Sequence, residues 1–367
     1  MRSARRLCFV GLLLLVLASS AAARSETSAS DLLAQRRALA TYAAMQRYFY
    51  VPADGSYNGT YPAVGHAQVW PYSQALWATL ELARVRRGGT TALADLPSMI
   101  AGLAAYGNRT PGGIVYDAVY GDRTYVFYDD NAWIGLALID ASDLTQNPAF
   151  LTAAREVFRP IEAGWDSNPD DPCPGGVYWI RSSKNHDRAA VSTANGALIG
   201  VLLYQHTHSP YYLDWARRAY EWSRRCLGTS TGLVADHIDS AGTVDARTWS
   251  YNQGAMIAVG VKLYRATGAR RYLDEAEKTA DAALAMLQNP LDSGEPPSFL
   301  AIFYRDLLEL TAVDPGRKDR AAIESFANEA WTRERNARTG LFYFGHTDAT
   351  LLDQAAMVQI YAALAAT

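Results

Sequence analysis

The chain contains 367 residues, with 34 Lys and Arg, 37 Asp and Glu and a formal net charge of −3. Acidic and basic residues are mixed along the chain, which excludes a dedicated nucleic-acid or anionic-membrane surface. The sequence has no zinc-type Cys/His spacing, EF-hand loop, P-loop or GxGxxG motif, so we expect neither a metal nor another cofactor.

The N-terminal segment is typical of an export signal. Three Arg residues precede an apolar run over residues 7–18, and small residues at 21–23 offer a cleavage site. We therefore expect a signal peptide at 1–23 and a secreted mature chain at 24–367, in an extracellular or periplasmic location and without a membrane span. An uncleaved anchor is the alternative, and it is disfavoured because the apolar run is short for a bilayer.

Only two cysteines remain in the predicted mature chain, Cys173 and Cys226. Export permits a disulfide between them, but their spacing in sequence does not set the distance between their Cα atoms. A disulfide and two separate buried thiols both remain open.

Helical periodicity dominates the predicted mature chain. Apolar residues recur at helical spacing in twelve segments, whereas strand-like alternation is confined to short pieces, so we expect an all-α fold. The twelve segments are 31–49, 70–87, 92–106, 130–143, 148–161, 190–207, 210–226, 250–267, 270–286, 297–312, 317–331 and 351–366.

Short turns join these helices in pairs, and long loops separate the pairs. The turns carry helix-ending or helix-starting residues such as Gly268 and Pro210. The unit repeats about six times with a period of roughly 50 to 60 residues. Four of the long loops share a turn glycine followed by apolar and aromatic residues, at 111–116, 174–179, 231–236 and 339–344.

Six such hairpins predict a single-domain (α/α)6 toroid, with one helix of each pair inside and its partner outside. Helix 31–49 would then pack on 351–366 and close the ring, and the long loops would gather at the N-terminal ends of the inner helices. An open α-solenoid is the alternative, but its repeats are usually shorter and lack a large loop on every unit.

The starts of the predicted inner helices are rich in carboxylate, amide and aromatic side chains. Aromatic rings stack on sugars, and Asp, Asn and Gln bond their hydroxyls, so this composition favours a carbohydrate site. Capping or core packing explains any one of these residues about as well. The candidates for substrate contact are Trp70, Gln74, Tyr128, Trp133, Asn195, Trp249, Tyr251, Asn252 and Gln253.

Asp129 and Asp130 begin the second predicted inner helix. As ordinary helix residues, Asp129 would be an N-cap and Asp130 a first-turn acid. As a catalytic pair, one would be the acid/base and the other the nucleophile in cleaving a glycosidic bond, with carboxyls about 5–6 Å apart for a retaining enzyme. Like-charge repulsion should raise the pKa of one group, and the helix dipoles should keep the other ionised.

Several motifs lie between residues 128 and 268 of the predicted mature chain. They are Tyr-Asp-Asp-Asn-Ala-Trp (128–133), Gly-Gly-Val-Tyr-Trp (175–179), Trp-Ser-Tyr-Asn-Gln-Gly (249–254) and Leu-Tyr-Arg-Ala-Thr-Gly (263–268). Together they resemble glycoside hydrolase family 76, the endo-α-1,6-mannanases. The resemblance implies an (α/α)6 barrel that hydrolyses α-1,6-mannosidic bonds of mannan-type polysaccharides with retention. It implies Asp129 as nucleophile and Asp130 as acid/base, with Asp236 as a further substrate contact. Trp179, in one of the quoted motifs, is another candidate for substrate contact.

Two other functions are compatible with a barrel of this kind. An unsaturated uronyl hydrolase acts on an acidic glycan and would favour a basic mouth, yet few Lys or Arg residues occur at the predicted inner-helix starts. A non-catalytic glycan-binding protein would bind an oligosaccharide without cleaving it, and the presence of both Asp residues speaks against it.

Overall fold

The computed structural model describes residues 28–85 and 89–366. The predicted signal peptide at 1–23 and part of the predicted turn at Gly88 and Gly89 lie outside these ranges. Within them, no helix is both long and apolar enough to cross a membrane.

Twelve α-helices form in the described residues, and each corresponds to a predicted segment with bounds that differ by at most four residues. Local signals set these bounds. Asn147 caps one helix by accepting from the Ala149 amide at 3.0 Å, with Pro148 as the first helical residue. The helices are α1 (Ala29–Phe49), α2 (Val69–Arg84), α3 (Gly89–Gly102), α4 (Tyr128–Thr145), α5 (Pro148–Ala163), α6 (Ala190–Thr207), α7 (Pro210–Leu227), α8 (Ser250–Thr267), α9 (Arg270–Met286), α10 (Pro297–Thr311), α11 (Asp319–Arg333) and α12 (Leu351–Ala366).

The even-numbered helices form an inner ring in which each contacts the next, and α12 returns to contact α2. The odd-numbered helices pack outside, and α1 packs on α12 although the two lie at opposite ends of the chain. Burial follows this division, because α6 is buried on nearly every side whereas α7 buries one face. The predicted all-α (α/α)6 barrel is therefore confirmed.

Short antiparallel strands lie in the loops that lead into the inner helices. The strands are β1 (Tyr50–Val51), β2 (Ser56–Tyr57), β3 (Thr60–Tyr61), β4 (Gly107–Thr110), β5 (Gly113–Tyr116), β6 (Arg188–Ala189), β7 (His237–Ile238), β8 (Val244–Asp245) and β9 (Ala349–Thr350). β1 pairs with β2, β3 with β9 and β4 with β5, while β7 lies between β6 and β8 in a three-stranded sheet.

A disulfide and a buried ion pair fix the long loop between α5 and α6. Cys173 and Cys226 form a disulfide with their Cα atoms 6.1 Å apart, so this loop is joined to the end of α7. Arg188 and Asp166 form a fully buried ion pair at 2.8 Å, and Arg188 also donates to the Asp239 carbonyl at 2.8 Å. The loops before α6 and α8 are thus held together beside the inner-helix starts.

Candidate active site

A cavity of about 650 Å³ opens at the N-terminal ends of the inner helices. Its volume lies in the usual range for small-molecule and sugar sites. Residues from the long loops and from the first turns of the inner helices line it. These are Gln68, Trp70, Ala118, Val119, Tyr125, Phe127, Asp129, Asp130, Trp133, Trp179, Asp187, Ala189, Val191, Asp236, His237, Arg247, Trp249, Tyr251, Phe299 and Ile302.

Asp129 and Asp130 both lie in the first turn of α4. The helix begins at Tyr128 and its N-cap is Phe127. Asp129 is therefore not an N-cap, although the interpretation of the pair as ordinary helix residues predicted one there. The next residue, Asn131, accepts from the Tyr116 amide at 2.7 Å and donates to the Tyr116 carbonyl at 2.9 Å. Asn131 thereby attaches the start of α4 to β5, and the two carboxyls are directed into the cavity.

The Asp129 side chain is half-buried, and Trp179 donates its indole N–H to Oδ2 at 3.3 Å. Burial raises the pKa of Asp129 to about 6, and the negative charge of Asp236 adds to the rise, while the neighbouring backbone amides and the Trp179 indole oppose it. The expected dipole effect is therefore outweighed, because the barrel removes water from the helix start.

The pKa of Asp130 is raised more strongly than that of Asp129. Burial raises its pKa well above the ordinary value, and the adjacent charge of Asp129 raises it further. The predicted like-charge effect is present, and burial acts on both groups. The arrangement stabilises a single negative charge on the pair, with the proton held by Asp130.

Asp236, in the middle of the loop before α8, also lines the cavity. Its Oδ1 accepts from the Tyr251 hydroxyl at 3.3 Å and from Asn252 Nδ2 at 3.1 Å, and its Oδ2 lies 3.0 Å from His237 Nδ1. With Asp187, the described residues place four carboxyls and one guanidinium, that of Arg247, on the cavity wall.

Aromatic rings form much of the remaining wall. Phe299 is the centre of one cluster, with ring centroids 5.9 Å from Trp70, 5.6 Å from Trp249 and 4.2 Å from Tyr251. Trp179 lies 5.0 Å from Phe127 and is 41% exposed, so its face is open to a ligand. Flat apolar faces beside carboxylates are the surface that a sugar ring contacts.

The structure brings eight of the predicted site residues onto the cavity and places five elsewhere. The eight are Asp129, Asp130, Trp70, Trp133, Trp179, Asp236, Trp249 and Tyr251. The five are Gln74, Tyr128, Asn195, Asn252 and Gln253, whose side chains are buried beneath or beside it.

Gln253 shows why the prediction differs. Its Oε1 accepts from the Val234 amide at 2.9 Å, and its Nε2 donates to the Val234 carbonyl at 2.9 Å, so the amide is used by the protein backbone. Gln74 is likewise bonded by Gln359, whose Nε2 lies 3.2 Å from Oε1 of Gln74. Both are structural amides, and neither faces the cavity.

The other three also lie outside the cavity lining. Asn252 bonds Asp236 rather than lining the cavity itself. The Tyr128 ring lies against Gly164, where an added Cβ would be only 2.6 Å from the ring. Asn195 is fully buried in α6.

The repeated loop signature has a structural cause. In α4, α6, α8 and α12, the fourth helical residue accepts a hydrogen bond from a backbone amide two or three residues after a signature glycine. The acceptors are Asn131, Thr193, Gln253 and Gln354, and the donors are the amides of Tyr116, Val177, Val234 and Phe342. These bonds hold each long loop over the start of its inner helix.

Asp187, His237 and Phe299 line the cavity but are not among the site residues predicted from sequence. Two of them have a positional signal, since Asp187 lies three residues before the start of α6 and Phe299 lies in the first turn of α10. His237 directly follows the predicted contact Asp236.

Known proteins resemble this chain in both sequence and fold. The profile of glycosyl hydrolase family 76 matches residues 33–366. The mannan endo-1,6-alpha-mannosidase DCW1 of Saccharomyces cerevisiae is 32% identical over 157 residues, 38% of this chain and 34% of that protein. The DCW1 protein of Candida albicans is 30% identical over 178 residues, 44% of this chain and 38% of that protein. The matches thus span less than two fifths of these relatives.

Solved structures match over nearly the whole barrel. The family 76 mannosidase Bt3792 from Bacteroides thetaiotaomicron VPI-5482 is 26% identical with a TM-score of 0.82, covering 91% of this chain and 98% of that one. The α-1,6-mannanase GH76A of Salegentibacter sp. HEL1_6 is 21% identical with a TM-score of 0.75, covering 90% and 98%. The latter structure is an inactive variant, with two consecutive Asp residues changed to Ala, in complex with α-1,6-mannotetrose.

Proposed function

This chain belongs to glycosyl hydrolase family 76, and from that membership we propose that it is an endo-acting hydrolase of α-1,6-mannosidic bonds in mannan-type polysaccharides. The single observation that carries the proposal is the pair Asp129 and Asp130 in the first turn of α4, facing an aromatic-walled cavity. The mannan endo-1,6-alpha-mannosidase relatives support the substrate class.

The charges of the pair are compatible with the retaining mechanism that the family resemblance implies. Asp130, whose pKa burial and Asp129 raise strongly, gives its proton to the glycosidic oxygen as the C1–O bond breaks. Asp129 attacks C1 as the nucleophile and forms a glycosyl-enzyme ester. Asp130 then takes a proton from the incoming water, whose oxygen attacks C1 and releases Asp129. The Trp179 N–H holds the Asp129 carboxylate during both steps.

The charge of the cavity supports a neutral glycan over an acidic one. Four carboxyls line it, and Arg247 is already paired with Asp245 at 2.6 Å. A uronate would meet net negative charge there, which disfavours the unsaturated uronyl hydrolase alternative. Neutral mannose units instead have hydroxyls that donate hydrogen bonds to these carboxylates, and ring faces that stack on the aromatic wall.

Export is part of the proposal. The basic and apolar start of the sequence supports a signal peptide at 1–23, and the Cys173–Cys226 disulfide is of the kind that persists in oxidising compartments. N-terminal sequencing of the protein recovered from culture medium tests this part, with a new N-terminus near residue 24 expected. A full-length chain retained in the cell would contradict it.

Digestion of linear α-1,6-mannan tests the activity. We expect internal cleavage to short oligosaccharides, and a loss of about a thousandfold or more in rate for Asp129→Asn and for Asp130→Asn separately. Asp214→Asn, on the outer helix α7, is the matched control and should keep wild-type activity. If either site variant keeps near wild-type turnover, the assignment is wrong, and tight oligosaccharide binding without product would indicate a glycan-binding protein.

A further inference from the structure

His237 lies on the cavity wall beside two carboxylates. Its Nδ1 is within hydrogen-bond distance of Asp236 Oδ2, at 3.0 Å, whereas its Nε2 is 3.9 Å from Asp187 Oδ2, too far for a hydrogen bond. The backbone around it is fixed, because β7 is the middle strand of the sheet with β6 and β8. A histidine in this setting has little freedom to turn, so its ring can set the position of a neighbouring side chain.

The Asp236 carboxylate is held from both sides. Tyr251 and Asn252 donate to Oδ1, at 3.3 and 3.1 Å, and His237 is the partner of Oδ2. An ionised carboxylate only accepts hydrogen bonds, so the His237 nitrogen facing it must carry the proton. Two of these donors come from α8 and one from β7, so the carboxylate plane is fixed between two elements.

We propose that His237 is a positioning residue for the reaction, which fixes the Asp236 carboxylate toward the sugar while the nearby negative charge of Asp187 favours this orientation of the imidazole. The inference rests on the proposed function, since it assigns Asp236 to the sugar bound beside Asp129. It gives His237 no proton-transfer step. Its role is geometric, because a hydrogen bond from a fixed ring holds a substrate-contacting carboxylate in one orientation.

The third acid in this cluster does not change the assignment. One potential metal-ligand atom from each of Asp236, His237 and Asp245 lies within 4.8 Å of the other two, a spacing that could hold a cation. However, Arg247 bonds both oxygens of the Asp245 carboxylate, from Nη2 at 2.6 Å and from Nε at 3.0 Å. A guanidinium therefore already supplies the positive charge at this position, and the cluster acts as a hydrogen-bonded support.

Matched substitutions separate the two faces of the ring. His237→Asn can place an N–H where Nδ1 lies, whereas His237→Gln can place one only where Nε2 lies, and His237→Ala places none. We would measure kcat and KM on α-1,6-mannotetraose, together with the thermal unfolding midpoint. We expect His237→Asn to stay within about threefold of wild type, and the Gln and Ala variants to lose about 10- to 100-fold in kcat/KM, as for loss of a hydrogen bond to a charged group.

The outcomes are distinguishable from a failure of the proposed function. Wild-type protein that leaves the tetrasaccharide intact refutes the function. An active wild type with Asn and Ala variants equally impaired, or with all three variants unimpaired, overturns the positioning role. A purely structural role would lower the unfolding midpoint of Asn and Gln variants alike and give no rescue by Asn. If the His237 variants do not fold, Asp187→Ala serves instead, with a two- to fivefold loss expected and an unchanged rate counting against the proposal.

Discussion

Replacing Trp179 by Phe removes the indole N–H that donates to Asp129 Oδ2 at 3.3 Å and keeps an aromatic ring on the cavity wall. A hydrogen bond to a charged group contributes about 1.5–3 kcal/mol, and this one is long and on a 41% exposed side chain, so we assign it about 1 kcal/mol. The donor stabilises the ionised form and lowers the pKa of Asp129 against the effect of burial.

The sign of the change in pH dependence follows directly. The nucleophile must be ionised, so activity is lost as the pH falls through the pKa of Asp129, about 6 in the wild type. Without the donor this pKa rises, by about 0.7 unit for about 1 kcal/mol. We therefore expect the acidic limb of kcat/KM against pH to move upward by that amount in Trp179→Phe.

A pH profile of initial rates on α-1,6-mannotetraose measures this shift. Trp249→Phe is the matched control, because Trp249 lines the same cavity but packs on Phe299, and its acidic limb should stay in place. An acidic limb that stays in place or moves downward in Trp179→Phe would refute the role assigned to the indole.

Three further predictions concern stability. Gln253→Ala leaves both backbone groups of Val234 without their partner and should lower the free energy of unfolding by about 3 kcal/mol in a denaturant titration. Cys173→Ser removes the disulfide that closes a 53-residue separation and should cost roughly 4 kcal/mol, measured in the same way under non-reducing conditions. Glu81 is buried on α2, and burial raises its pKa to about 7. Because the folded state therefore holds this proton more tightly, stability is lost as the pH rises through about 7, so Glu81→Gln should be up to roughly 3 kcal/mol more stable than wild type at pH 8 and equal to it at pH 4. Equal stability at both pH values would contradict that account.

The helices were predictable because their signals are local. Apolar spacing defines each segment, and residues such as Pro148 and Gly268 mark where a helix begins or ends. The alternation of short turns and long loops then leaves few arrangements, and a closed ring of hairpins is among the simplest. The pairing of α1 with α12 follows from closure alone, although the two helices lie at opposite ends of the chain.

Which amide side chains line the cavity and which bond the protein backbone was not predictable from sequence. Gln253 was expected to bind substrate, but its amide matches the Val234 backbone, and an amide has the same chemistry whether it bonds a sugar or a loop. The choice depends on the course of the loop above it, which local patterns do not set. The disulfide was open for the same reason, since the distance between Cys173 and Cys226 depends on how the loop folds back on α7.

The electrostatics of the pair depend on the assembled barrel. From sequence, the dipole of α4 was expected to keep one Asp strongly ionised, but burial raises the pKa of both Asp129 and Asp130. The contribution of Asp236 to Asp129 also arises only when the loop before α8 closes over the cavity. The pair could therefore be chosen as a site candidate from the sequence, whereas the pKa shifts on which its proposed division into acid and nucleophile rests could not be predicted.

The most direct test of the central claim is the configuration of the product at the cleaved bond. Hydrolysis of α-1,6-mannotetraose by the wild type would be followed by proton NMR from the first minutes, before mutarotation mixes the anomers. If Asp129 forms a glycosyl-enzyme ester that Asp130 helps water to open, the newly formed reducing end appears first as the α anomer. Initial release of the β anomer would contradict the two-step mechanism, and an intact tetrasaccharide would contradict the activity itself.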